Sequence, residues 1–279
     1  MYNKLVLSGG AKRGILLLGS LEYLCENHKD YLANITTYIG SSIGAIICYL
    51  LIIGYKPSKL IAHLITHDFF NKFKTVDLVK LSNCNGSYSW NIIGKYIKDM
   101  TMNTTNKLYT LKELHETYNK ELICITYNYT KQEEEILSYQ THPDLPCIDA
   151  LHMSSSIPLY FDRCKYGDNY YLDGGFTNNF PINLLEEEDH AISINCTKMH
   201  INDKEDMMIT NYIYNLTMLI IINNVKVSLN NCKCKNLLLI NIDNKDISTN
   251  GLYINNVEIF NKFSYGYNFT KDVVTNNDT

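Results

Sequence analysis

Several features that mark out whole classes of protein are missing from this sequence. No apolar run approaches the roughly 20 residues that span a bilayer; the longest, residues 43–53, stops well short of that. The amino end offers only a brief apolar stretch before Ser8-Gly9-Gly10, too little for a secretory signal. The nine cysteines are scattered. They form neither a paired CxxC spacing for zinc nor a compact disulfide framework, so reduced thiols are expected. Charge of one sign is not in excess: the net charge is −4, which removes the electrostatic case for nucleic acid. Proline is scarce, at five residues, and no low-complexity linker or internal repeat divides the chain. Together these absences predict a soluble cytoplasmic protein, with any membrane contact peripheral. Asn-x-Ser/Thr triplets such as Asn34-Ile35-Thr36 follow from the Asn-rich composition rather than from secretion.

What is present is a chain of 279 residues, 46% hydrophobic, long enough to bury a sizeable core in one α/β domain. Its organising stretch is Gly40-Ser41-Ser42-Ile43-Gly44, a Gly-x-Ser-x-Gly pattern. A β-prone run, residues 35–39, precedes it, and an apolar run, residues 45–53, follows. Strand, sharp turn and helix are the setting of a nucleophile elbow. The alternative is a serine that merely caps a helix. As an elbow, the turn needs Gly40 and Gly44 because a Cβ at either place would crowd the backbone. Ser42 would then stand at a helix amino end, where free N–H groups favour developing negative charge.

Residues 4–7 read as a strand and residues 15–25 as a helix, joined by Ser8-Gly9-Gly10-Ala11-Lys12-Arg13-Gly14. Such a loop cradles a phosphate or presents amides to an oxyanion. It matches neither GxGxxG nor the GK[ST] ending of a P-loop. The serine pattern about 30 residues on favours the oxyanion role, with Gly9 and Gly10 admitting the substrate and the amides of Gly10 and Ala11 donating. Arg13 either supports this loop or is a solvated helix-end cation.

Further helices are expected over residues 57–67, 78–81, 90–102, 110–118, 145–153, 205–227 and 256–273, and strands over 121–130, 134–140, 191–195 and 236–242. The run Glu133-Glu134-Glu135 reads as a solvated turn rather than a metal site. Residues 83–89 and 103–106 are candidate mobile loops. Strands alternating with helices predict an α/β fold with a mostly parallel sheet covered on both faces. Near residue 173 a β-prone run ends in Asp173-Gly174-Gly175. This is either a carboxylate delivered into a site from a strand end or a type I′ hairpin turn.

With these stretches in view, the chain resembles the patatin-like phospholipase family. The signatures fall in that family's order: the loop from Gly9 to Gly14 with Arg13 at its basic position, the elbow from Gly40 to Gly44, and Asp173-Gly174-Gly175. The segment from Asp149 to Pro158 and Asn178-Asn179-Phe180-Pro181-Ile182 fit as well. The similarity covers about residues 4–195, inside a single domain of residues 1–279. It departs in having two consecutive loop glycines where many members have three, and His152 where a small residue is usual.

The resemblance implies a three-layer sandwich and a Ser–Asp dyad, with Ser42 as nucleophile and Asp173 as base. It implies Gly9, Gly10, Ala11 and Arg13 at the oxyanion hole. It also implies a lipid or phospholipid ester as substrate, cut through an acyl-enzyme, with no cofactor and no metal. An aspartate with an ordinary pKa near 3.9 is a poor base for a hydroxyl, so burial has to raise it. A triad through His190 or His200 competes, since both follow Asp173 in the chain. His152 reads as a packed helix residue. Residues Leu159, Tyr160, Phe161 and Phe176 either line an acyl pocket or pack the core. A catalytically silent lipid-binding protein and a general esterase or thioesterase are the competing functions.

Overall fold

The computed structural model describes residues 1–75, 86–199, 209–242 and 252–277. The expected helix at 78–81, the start of the one at 205–227, part of the 83–89 loop, and His200 lie outside them.

The first strand, β1 (Lys4–Leu7), is apolar on both faces because both are covered. Leu5 and Leu7 join one core cluster while Val6 between them joins another. The period of two along a strand makes that division. β1 lies between β2 (Thr37–Ser41) and β7 (His190–Asn195), parallel to both. β3 (Glu121–Asn128) runs parallel to the far side of β2, and β8 (Asn236–Asn241) parallel to β7. The sheet is completed by antiparallel strands β4 (Glu133–Leu137), β5 (Cys164–Tyr166) and β6 (Asn169–Asp173), which extend it past β3. The order is β5-β6-β3-β2-β1-β7-β8, with β4 also on β3. This is the mostly parallel α/β sheet that the alternating pattern predicts.

The glutamate run is not a turn: Glu133 opens β4, and the buried Glu135 holds Asn128 Nδ2 and Lys131 Nζ, each at 2.9 Å.

On one face lie α1 (Gly14–Asn27) and, after the short α2 (Lys29–Ala33), α3 (Ile43–Ile52). Beyond α4 (Pro57–Thr66), the chain adds α5 (Asn91–Thr105), α6 (Leu111–Tyr118) and α7 (Cys147–Ser154). On the other face, Phe180, Ile182 and Leu185 pack with Val225 of α8 (Ile209–Asn230) against Val6, Ile39 and Ala191. No single helix among the described residues is long and apolar enough to cross a membrane.

α1 is apolar almost all round because it is covered twice, by the sheet and by α9 (Asn256–Asn277). The two helices touch backbone to backbone. A Cβ at Gly19 would meet the Phe263 carbonyl and the Tyr267 amide, and one at Gly266 the Leu16 carbonyl. Helix propensity alone would favour alanine at Gly19 by about 1 kcal/mol. The collision with rigid backbone reverses the sign. Gly19→Ala is expected to destabilise by about 1–3 kcal/mol, seen as a melting point lower by roughly 2–12 °C.

Candidate active site

β2 delivers Ser42 and α3 begins immediately after it. The serine adopts φ 54° and ψ −125°, left-handed and unusual for a residue with a side chain. Such a conformation costs on the order of 1–3 kcal/mol and persists only where the surroundings enforce it. They do so here. A Cβ on Gly40 would strike the Ala45 amide and one on Gly44 the Leu7 carbonyl, so only glycine lets the elbow close against β1. The Ser42 N–H is held by Ser154 Oγ, 3.0 Å away at the end of α7. Removing that acceptor leaves a buried amide unsatisfied. Ser154→Ala should therefore cost about 1–3 kcal/mol of stability, measured by denaturant titration, and should slow any reaction at Ser42.

Asp173 ends β6, whose partner β3 lies beside β2. No hairpin follows: Gly174–Phe176 is a single 3₁₀ turn, and the Asp173 Oδ1 accepts from the Gly175 amide at 2.7 Å. The Asp173 amide donates to Ser156 at 3.0 Å. The structure thus selects the delivered carboxylate over the type I′ turn. A Cβ on Gly174 would collide with the Ile125 carbonyl. Asp173 is buried, and the Ser42 hydroxyl lies near enough to its carboxylate to lower its pKa. No hydrogen bond joins the two side chains in this structure, and Oδ2 has no hydrogen-bond partner. Catalytic hydrogen bonds are often loose before substrate binds. Burial pushes the Asp173 carboxyl up to about 6, while Ser42 and the Gly175 amide pull it back.

The glycine loop passes over the serine. A Cβ on Gly9 would come within 3.2 Å of the Ser42 Cβ and would strike Asn179 Oδ1. The Gly9 amide is committed to the Asn179 carbonyl at 2.9 Å. Gly9 therefore sets the close approach and donates nothing to a ligand. The amides of Gly10 and Ala11 carry no bond among the described residues, and Ala11 takes φ 48° at the turn. Arg13 is not a solvated helix-end cation: it is 4% exposed, and its Nε donates to the Cys196 carbonyl at 2.5 Å. It ties the loop to the end of β7. Gly14 leaves room for Ile43, beside the serine.

Two residues that lie in segments quoted for the resemblance have roles here that the sequence did not assign. Ser154, within the segment from Asp149 to Pro158, holds the Ser42 amide. Asn179 bridges the loop and the aspartate turn, its Nδ2 donating to Gly9 at 3.3 Å and to Thr197 at 2.7 Å. Its place in Asn178-Asn179-Phe180-Pro181-Ile182, part of the resemblance, was the available signal.

Of the candidate histidines, the two among the described residues, His190 and His152, stand elsewhere. Lys4 pairs with both Thr37 and Ala191, so His190 lies level with the start of β2, six residues before Ser42. That is about 20 Å along the sheet, and His190 is exposed. His152 stacks on Trp90 with centroids 4.1 Å apart, and burial pushes its imidazole down to about 4. The eight cysteines among the described residues are free thiols.

A cavity of about 110 Å³ has Ser42 and Ala11 in its wall. The rest of the wall is almost wholly apolar, from α3 (Ile47), α4 (Leu64), the 3₁₀ turn Phe69–Phe73 and α5 (Ile97). Of the four residues proposed from sequence as a lining, only Phe161 takes part; Leu159 is 47% exposed.

A serine raised on a strand–turn–helix at the carboxyl end of a parallel strand, under a glycine loop, defines an α/β protein of the nucleophile-elbow kind. The chain belongs to the patatin-like phospholipase family, whose model matches residues 5–185. Over 189 residues it is 40% identical to the "Probable lipid hydrolase 463L" of Invertebrate iridescent virus 6, spanning 66% of this chain and 63% of that protein. It is 29% identical over 205 residues to "Uncharacterized protein R571" of Acanthamoeba polyphaga mimivirus, covering 71% and 67%. Among solved structures, VipD from Legionella pneumophila aligns over 99% of this chain and 67% of its own, with TM-score 0.55 and 19% identity. ExoU in its complex with SpcU from Pseudomonas aeruginosa aligns over 99% and 51%, with TM-score 0.51 and 16% identity. At these identities the structural likeness concerns the fold.

Proposed function

We propose that this protein is a serine lipid acyl hydrolase of phospholipase A or lysophospholipase type, working from the aqueous phase at a lipid surface. The observation that carries this reading is that one serine, Ser42, meets both a buried carboxylate and an apolar cavity. Asp173 accepts the Ser42 proton as Oγ attacks the ester carbonyl carbon. The carbonyl oxygen gains charge under the amides of Gly10 and Ala11, where each donor is worth about 10²–10³-fold. The C–O bond to the alcohol then breaks, and Asp173 returns the proton to the leaving oxygen. Water, deprotonated by Asp173, releases the fatty acid from the acyl-enzyme and restores Ser42. The raised pKa of Asp173 fits the task, because a base is most effective when its pKa lies near the working pH.

The test is mass spectrometry of lipids before and after incubation. Free fatty acid should accumulate from long-chain phospholipids or lysophospholipids, with slower turnover of short-chain esters. Lipid binding without turnover would point instead to a silent binding protein, and a preference for short esters to a general esterase. Filling the cavity with Ile47→Trp should cost about tenfold in kcat/KM for long chains relative to short ones, the scale of a changed apolar pocket.

A further inference from the structure

We propose that Ser8 and Cys196 form a clamp that positions the oxyanion loop, with the Cys196 side chain setting where the Gly10 amide points. This rests on the acyl hydrolase reading above and adds to it two positioning residues, which act through the loop.

Gly9 and Gly10 carry no side chains, and a glycine segment has the most backbone freedom to lose. An oxyanion hole works only if its donors are held in place before charge develops. Much of what holds this loop comes from one residue just beyond β7. Ser8 follows β1 and Cys196 comes shortly after Ile194, whose carbonyl accepts from the Ser8 amide at 3.1 Å. The register of two parallel strands thus sets Ser8 and Cys196 side by side. The Cys196 amide donates to Ser8 Oγ at 2.9 Å, and the Ser8 hydroxyl donates to Cys196 Sγ at 3.6 Å. The thiol donates in turn to the Gly9 carbonyl at 3.7 Å. The Cys196 carbonyl takes Arg13 Nε. Sulfur also fills the space beside Gly10, where a Cβ would lie 2.6 Å from Sγ. Cys196 therefore reaches Ser8, Gly9, Gly10 and Arg13.

Both clamp side chains are buried. Asn195 Nδ2 donates to Asn241 Oδ1 at 2.7 Å, which ties the end of β7 to β8, so the clamp stands on the sheet. The family model ends at residue 185, before this strand. Burial pushes the Cys196 thiol up although Arg13 pulls it down, so at neutral pH the S–H remains a donor. The Gly9 amide is held from the other side by the Asn179 carbonyl. Loss of the sulfur would leave Gly9 tethered there and free Gly10 to turn.

The experiment measures kcat and KM on a long-chain ester beside inhibition by two long-chain analogues, a trifluoromethyl ketone and the matching secondary alcohol. Ser42 Oγ adds to the ketone carbon, its proton passes to Asp173, and the carbonyl oxygen becomes an oxyanion under the loop. The alcohol only fills the cavity. Cys196→Ala should lower kcat about tenfold with KM unchanged, the scale of a small misplacement of one donor. It should weaken the ketone by the same factor and leave the alcohol as before. Cys196→Ser, which keeps a donor, should lose less. Ser8→Ala should lower kcat and ketone affinity together, and it decides the matter if Cys196→Ala does not fold. Unchanged kcat and ketone affinity in these variants overturns the clamp. So does an equal loss for ketone and alcohol, which marks a general distortion of the site. In both cases wild-type hydrolysis through Ser42 stands. A wild-type protein that neither hydrolyses the ester nor binds the ketone more tightly than the alcohol removes the hydrolase itself, and the clamp with it.

Discussion

Ser42→Ala is expected to lower acyl ester hydrolysis by about 10⁴-fold or more, with the fold intact. The magnitude follows from serine hydrolases generally, where loss of the nucleophile leaves only the contribution of the oxyanion hole and substrate binding. Alanine keeps the Cβ, so the elbow pays the same backbone strain at φ 54° that serine does. The Ser42 amide still reaches Ser154 Oγ. Melting temperature should therefore stay close to that of wild type while fatty acid release disappears. Residual turnover near the wild-type level would place the nucleophile elsewhere.

Asp173→Asn is expected to lower kcat by about 10³–10⁴-fold, since an amide cannot take the serine proton. The same substitution should stabilise the protein at neutral pH. The folded carboxyl sits at about 6, above the unfolded value near 3.8. The folded state therefore holds the proton more tightly, and its stability falls as pH rises between those two values. Above pH 6 the penalty is complete, on the order of 3 kcal/mol for a group this buried. Asparagine removes it, so the variant should melt higher than wild type at pH 7 and about equally at pH 3.5. Wild-type kcat/KM should drop as pH falls through about 6, because the acting form is the carboxylate. A flat acid limb would mean that Asp173 is not the base.

The elbow was legible because its requirements are local. Two glycines flank a serine within five residues, between a β-prone run and an apolar one, and each glycine answers to backbone a few residues away or on the adjoining strand. The sheet was legible for a similar reason, since short β-prone runs alternating with helices admit few arrangements. Boundaries moved by a few residues where caps decided them; Thr110, for example, caps α6 rather than opening it. Asp173-Gly174-Gly175 stayed ambiguous because a strand-end carboxylate and a hairpin share that tripeptide. The pairing of β6 with β3 resolves it, Thr126 facing Asp173 and Asn128 facing Tyr171 from far along the chain. Ser154 and Asn179 were hidden for the same physical reason, as their partners lie 112 and 170 residues away. The cavity wall was hidden too: α4 and α5 present apolar faces that, in sequence, look like ordinary core.

The most direct measurement is covalent. The protein is treated with a fluorophosphonate, digested, and the modified peptide sequenced by mass spectrometry. A single adduct on Ser42 is expected, absent from Ser42→Ala and strongly slowed in Asp173→Asn. Ester hydrolysis that continues with Ser42 unmodified, or an adduct on another residue that tracks the loss of activity, would contradict the account.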